Sequence, residues 1–253
     1  MMNWLDSHCH INDEAFRDDL DQVLENMVRN DVRKAMIVSS YVEDYEYALK
    51  IRDERICFKR SLGIYPGDAS GADEEVMRNF ASHFTDDDCA AIGEIGLDYY
   101  WDKDNWDIQK KVFTEQVRMA QKLDKPIIVH SRDAIEDTYE ILKENPVKGV
   151  MHCYSDSAEM ARAFVELGFY ISIAGPVTWK RNGELLRVIR AVPLNRMLIE
   201  TDCPYLTPAP NRGKRNEPAN VVYTGRKICE ELGLDEEAFK KQLNENYHML
   251  FGL

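Results

Sequence analysis

Short apolar runs rich in β-branched residues alternate along this chain with longer stretches of helical period, a pattern that predicts strand–helix units feeding a parallel sheet. Eight such runs stand out, at 3–7, 34–39, 57–63, 90–95, 126–129, 149–151, 170–173 and 197–200. Between them, Leu20, Val23, Leu24, Met27 and Val28, and then Val112, Phe113, Val117, Met119 and Ala120, fall on one face of a helix. The segment 217–253 reads as wholly helical and is expected to complete an outer ring. Eight repeats predict an α/β fold, a closed TIM-type (β/α)8 barrel, better than an open doubly wound sheet. The chemically notable residues come from the first, fourth, fifth, sixth and eighth runs, and only closure brings them together. No linker, low-complexity block or internal repeat interrupts the pattern, so one domain spanning 1–253 is expected.

Composition narrows the function classes. A formal charge of −13 over 253 residues repels phosphate backbones, which excludes nonspecific coating of nucleic acid. Any nucleic-acid partner has to be captured locally, at the mouth of a site. Six cysteines without C-x-x-C spacing read as reduced thiols. The opening Met-Met-Asn-Trp-Leu-Asp carries no basic leader, and no apolar run reaches membrane-spanning length. A cytoplasmic protein with no membrane partner is expected.

The candidate chemistry begins with His8 and His10, whose spacing points both imidazoles the same way on a strand. Glu94, His130, His152 and Asp202 sit at the ends of other apolar runs, the edge at which βα barrels carry function. A single strand-end histidine is more often a hydrogen-bonded core residue. Four of the six histidines at such edges weaken that reading, while His83 and His248 fall in helical or loop positions that suit solvation or packing. Imidazoles and carboxylates together suit zinc, manganese or iron, and the carboxylates also suit magnesium. Six ligands exceed one tetrahedral site. Two divalent ions (magnesium, manganese or zinc) about 3.5 to 4 Å apart, sharing one carboxylate, account for the number, and Glu94 from the middle strand is the natural bridge.

Such a pair acidifies a water for in-line attack on phosphorus and stabilises the leaving oxygen. Asp202 is either the acceptor of that water's proton or a purely structural ligand. Arg132, Lys214 and Arg215 suit a phosphate clamp, against the plainer reading of a solvated basic loop. Tyr99, Tyr154, Tyr205 and Trp179 are candidate base-stacking rings, each more easily explained by packing. Cys9, Cys153 and Cys203 each follow a proposed ligand, but strand alternation turns them away, so they read as small fillers. Asp6 either orients a ligand or accepts hydrogen bonds within the barrel.

The runs Asp6-Ser7-His8-Cys9-His10, Gly93-Glu94-Ile95-Gly96-Leu97-Asp98-Tyr99, His130-Ser131-Arg132-Asp133-Ala134, His152-Cys153-Tyr154-Ser155 and Glu200-Thr201-Asp202-Cys203-Pro204-Tyr205-Leu206 together resemble the TatD-related metal-dependent deoxyribonucleases of the amidohydrolase superfamily. The loop 212–218 and the ending 246–253 are similar too, so the resemblance covers nearly the whole chain. It implies a TIM barrel with His8, His10 and Asp202 on one metal, His130 and His152 on the other, and Glu94 between them. It also implies phosphodiester hydrolysis, usually trimming of DNA and sometimes RNA from the 3′ end.

One departure stands out: where that family usually has Gly-x-His-Pro, this chain has Gly63-Ile64-Tyr65-Pro66. A phenol at Tyr65 can donate to a substrate phosphate but cannot become cationic near neutrality. Two other readings compete. The same centre would hydrolyse a carboxylic ester or amide, such as an aminoacyl-tRNA linkage. Alternatively, a barrel that binds metal without catalysis would serve as a scaffold, and Tyr65 is the one feature favouring it. A glutamate at position 94, rather than a lysine open to carbamylation, sides with the nuclease branch by resemblance.

Overall fold

Hydrogen bonding arranges the apolar runs into one parallel sheet in chain order. The computed structural model describes residues 2–101 and 104–252. Met1 and Leu253, the expected domain's two ends, lie outside the described residues, as do Asp102 and Lys103. Among the described residues the sheet has eight strands: β1 (Trp4–Cys9), β2 (Val32–Ser39), β3 (Cys57–Leu62), β4 (Cys89–Asp98), β5 (Ile127–Arg132), β6 (Gly149–Met151), β7 (Tyr170–Ile173) and β8 (Met197–Ile199). Helices alternate with them: α1 (Leu20–Arg29), α2 (Val42–Ala48), α3 (Glu74–His83), α4 (Trp106–Leu123), α5 (Ile135–Glu144), α6 (Ala158–Glu166), α7 (Gly183–Ala191), α8 (Val221–Leu232) and α9 (Glu236–Phe251). This is the expected (β/α)8 barrel. None of the described helices is long and apolar enough to cross a membrane.

Three strands run past the point where their apolar pattern stops. β1 continues to Cys9, β4 to Asp98 and β5 to Arg132, so His8, Glu94 and His130 lie inside strands. The polar residues there stay in the ladder, Gly96 opposite His130 and Asp98 opposite Arg132. Gly96 has φ 146° in that ladder, and a Cβ on it would fall 1.9 Å from the His130 carbonyl oxygen. Glycine is what lets β4 approach β5 at the histidine.

β8 meets β1 through a seam of a few specific bonds. The Asp202 N–H donates to the His8 carbonyl at 3.0 Å, and the His10 N–H donates to the Cys203 carbonyl at 2.9 Å. Below them the buried Asp6 carboxylate accepts from the Thr201 N–H at 2.9 Å, from the Thr201 hydroxyl, and from the His8 N–H at 3.2 Å. Of the two roles expected for Asp6, the structure gives the hydrogen-bonding one. Burial pushes its pKa up to about 8 even though the Thr201 bonds pull the other way.

The C-terminal segment is not one continuous helix. A short 3-10 helix (Pro218–Asn220) leads into α8, which stops where Gly233 takes φ 65°, the left-handed conformation that ends helices readily. α8 and α9 close over the start of β1. The buried Trp4 ring packs edge-on against Phe239 of α9 at 6.4 Å, with the Lys240 ammonium 5.0 Å above it.

Gly225 of α8 lies flat on that indole: a Cβ there would come within 2.3 Å of it. In an open helix, alanine in place of glycine stabilises by about 1 kcal/mol. Here the rigid, buried ring reverses the sign, and Gly225→Ala is expected to lower unfolding free energy in urea by about 1–3 kcal/mol. An unchanged or raised midpoint would show that α8 does not pack on Trp4 in this way.

Candidate metal centre

Glu94 lies in the middle of β4, only 5% exposed, and its two oxygens face different partners. Oε1 is 2.8 Å from His130 Nδ1 and 3.0 Å from His152 Nε2. Oε2 is 3.5 Å from His8 Nε2 and 4.0 Å from His10 Nε2. Asp202 joins the second group, with Oδ1 3.4 Å from His10 Nε2 and 3.6 Å from His8 Nε2. β1, β4, β5 and the turns after β1, β6 and β8 therefore bring all six candidate ligands together. They divide into His130 and His152 on one side of Glu94 and His8, His10 and Asp202 on the other. The His8 and His152 rings stack at 3.9 Å, and Asp202 holds φ 55° at the turn, a left-handed conformation that few residues adopt without support.

The far nitrogens of three histidines are occupied. His10 Nδ1 lies 3.1 Å from the Val38 carbonyl, His130 Nε2 lies 3.0 Å from Asp98 Oδ2, and His152 Nδ1 lies 3.0 Å from Glu200 Oε1. A carbonyl or carboxylate there takes the ring N–H, so that a bound cation would meet the lone pair of the nitrogen facing Glu94 or Asp202. The fourth, His8, has its buried Nδ1 without a partner. Groups of ligand atoms within 4.8 Å of one another include His8, His10 and Glu94, and Glu94, His130 and His152. Imidazoles and ionised carboxylates held at this spacing fit divalent cations, which would take the place of the ring protons. Cysteine has no part in these groups, and Cys9 turns its thiol to the Met36 carbonyl at 3.3 Å.

Charge pairing dominates the electrostatics. Burial opposes ionisation of Glu94, but His152, His130 and His8 hold its carboxyl well below the usual range. Asp202 is likewise lowered, its burial outweighed by the His10 bond. For His10, His130 and His152 burial favours the neutral ring, yet the facing carboxylates raise all three, His152 most. For His8 burial wins and the pKa falls.

Several supporting residues were not singled out by the sequence reading. Asp98 holds His130 and also accepts from the N–H groups of Tyr100 and Trp101 at 3.0 and 3.3 Å. Glu200 holds His152 and accepts the Cys153 N–H at 2.7 Å. Gln109 and Gln116 are buried on the inner face of α4, each gripping both backbone groups of one residue, at the end of β4 or just past the end of β3. Gln109 pairs with Asp98 at 2.8 and 2.9 Å, and Gln116 with Ile64 at 2.8 and 3.1 Å. Two amides seven residues apart on an otherwise apolar helix face were the available signal for this role.

The residues expected to touch substrate divide. Tyr65 donates from its hydroxyl to Asp98 Oδ2 at 3.1 Å and lies 3.4 Å from His130 Nε2; burial pushes its pKa upward, so it stays a neutral donor. Arg132 is exposed at the end of β5 with its guanidinium 3.9 Å from the Tyr100 ring centre. Lys214 is exposed. Arg215, expected in the phosphate clamp, is instead drawn to the start of α1, where Asp19 takes both terminal nitrogens at 2.9 and 2.7 Å. A bidentate carboxylate there competes directly with any phosphate. Of the four candidate stacking rings, Tyr99 packs on Trp106 at 4.2 Å, Tyr154 is buried, and Trp179 donates to the Thr207 carbonyl at 3.0 Å. Tyr205 is exposed.

Comparison with known proteins finds relatives along nearly the whole chain. A family model described as TatD related DNase matches residues 5–252. A Bacillus subtilis protein named as an uncharacterized metal-dependent hydrolase, YabD, is 40% identical, over 97% of this chain and 98% of its own length. The similarly named YcfH of Escherichia coli K12 is 35% identical, over 98% of this chain and 95% of its own. Among solved structures, YjjV of Escherichia coli K12, a TatD homologue, superposes with a TM-score of 0.92 at 26% identity, covering 99% of this chain and 98% of that one.

The Glu200–His152 bond yields a test. Glu200→Gln keeps the shape but exchanges a charged acceptor for an amide, and is expected to weaken metal binding about 10- to 100-fold with an unchanged circular dichroism spectrum. Titration with a competing chelator measures it, and an unaltered affinity would remove Glu200 from the metal centre.

Proposed function

The chain belongs to the TatD-related DNase family and is a metal-dependent hydrolase, and from that premise we propose that it cleaves phosphodiester bonds at the 3′ ends of single-stranded DNA. The observation that carries this reading is the division of Glu94, one oxygen toward each histidine group. Two divalent ions, whether magnesium, manganese or zinc, fit that division, with His8, His10 and Asp202 holding one and His130 and His152 the other. Bound there, the ions supply an acidified water and positive charge for the leaving oxygen.

This chain's own residues do the rest. Asp202, kept ionised by His10, offers a carboxylate oxygen to receive a proton at the edge of the centre. Asp98 and Glu200 hold the rings of His130 and His152 in one orientation, so the ligand lone pairs are set before substrate arrives. Arg132 and Lys214 are the cations available to a phosphate, and the acidic remainder of the surface confines nucleic acid to that mouth. Tyr65 adds a neutral donor beside His130.

Purified protein with manganese or magnesium should shorten a 5′-labelled single-stranded oligonucleotide to a ladder. Glu94→Ala, which removes the shared carboxylate, should slow it by on the order of 10⁴-fold. Absence of a ladder with every divalent metal, or faster turnover of an aminoacyl-tRNA ester than of the oligonucleotide, would overturn the nuclease reading while leaving a metal-dependent hydrolase.

A further inference from the structure

Beside the metal centre, Tyr100 and Trp101 leave large aromatic surfaces in water, at 49% and 72% exposure. Side chains of this size usually find cover, and an indole so open at the functional end of a barrel calls for an explanation. The two rings meet edge to face at 4.8 Å. The Arg132 guanidinium lies 3.9 Å from the Tyr100 ring centre and 5.3 Å from that of Trp101. Such stacking leaves the edge of the guanidinium free to donate to an anion.

The patch is fixed to the metal centre by two separate ties. Asp98, whose Oδ2 faces His130 Nε2, uses Oδ1 to accept the N–H groups of Tyr100 and Trp101. Arg132 sits two residues beyond His130 on β5, in register with Asp98, and its carbonyl accepts the Tyr99 N–H at 3.0 Å. Two strand residues span ~7 Å, so the rings stand close beyond the histidines, on the side from which β4 and β5 emerge.

We propose that Trp101, backed by Tyr100 and Arg132, is a stacking platform for a nucleobase flanking the scissile phosphate, with Arg132 meeting the adjoining phosphate oxygens. The inference rests on the nuclease reading and deepens it. Base stacking on an aromatic face accepts any base but requires one that is unstacked from its neighbours, while the cation beside it matches the backbone charge. The platform thus selects single-stranded or frayed ends over paired duplex, and gives an acidic protein a local hold on a polyanion.

The test uses the manganese-loaded protein and two oligothymidylates, one intact and one lacking the bases of its last two nucleotides. Affinity is read by fluorescence anisotropy on versions whose terminal linkages are phosphorothioates, and KM and kcat are read on the ordinary ones. Wild type should bind the intact strand about tenfold more tightly than the abasic strand. Trp101→Ala should erase that difference by raising Kd and KM for the intact strand, with little change in kcat, and Trp101→Phe should restore most of it. Equal weakening on both strands, no effect of Trp101→Ala, or no base dependence in wild type would each overturn the platform. Base-dependent binding lost in Trp101→Ala without any hydrolysis would uphold the platform and refute the nuclease activity. A ladder indifferent to Trp101 would do the reverse.

Discussion

An ionised carboxylate buried in the middle of a strand costs several kcal/mol unless opposite charge or hydrogen-bond donors surround it, and Glu94 is such a carboxylate. Meeting that requirement draws in His130 and His152 on one oxygen and His8 on the other. Each imidazole then brings a second nitrogen that also needs a partner. Asp98 and Glu200 serve those of His130 and His152, as the Val38 carbonyl does for neighbouring His10, and Asp98 is in turn fixed by Gln109 of α4 and by the backbone of Tyr100 and Trp101. A chain of polar satisfaction therefore runs outward from one oxygen pair to a helix on the barrel's outer layer. Buried networks of this kind gain from each link that is made, which explains why so many polar side chains gather in the barrel interior, with His8 Nδ1 and Glu200 Oε2 left without a protein partner.

The barrel was legible in the sequence because parallel strands buried on both faces read as unbroken apolar runs, and here they are separated by helices of clear period. The candidate ligands were legible because histidines are few and cluster at strand ends. Strand limits were less so: β4 and β5 continue through residues that look like loop, since polar side chains there find partners within the barrel. Asp98 and Glu200 carry no local mark that separates a supporting acid from a ligand. The fate of Arg215 was invisible for a different reason, because Asp19 lies 196 residues away along the chain and only the fold brings them together.

Tyr65 illustrates how a departure from the family pattern is accommodated. Its hydroxyl donates to the same Asp98 oxygen that receives His130, so the phenol joins the supporting network without adding charge. A histidine at that place would bring a titrating group next to His130; the phenol brings a fixed dipole. The six candidate metal ligands come together without help from that position, and the change falls on what surrounds them.

The seam between β8 and β1 has a consequence for how the molecule closes. His8 and His10 come from β1 and its following turn and Asp202 from the turn after β8, and they meet only when Thr201 reaches Asp6 and the Asp202 N–H reaches the His8 carbonyl. With β8 apart from β1, the chain would hold only part of one candidate ligand set. Ions that prefer the completed set bind the closed barrel over open forms, and by mass action each tenfold excess over the dissociation constant adds about 1.4 kcal/mol to closure. Closure of the barrel at this seam and affinity for such ions are therefore linked, each strengthening the other.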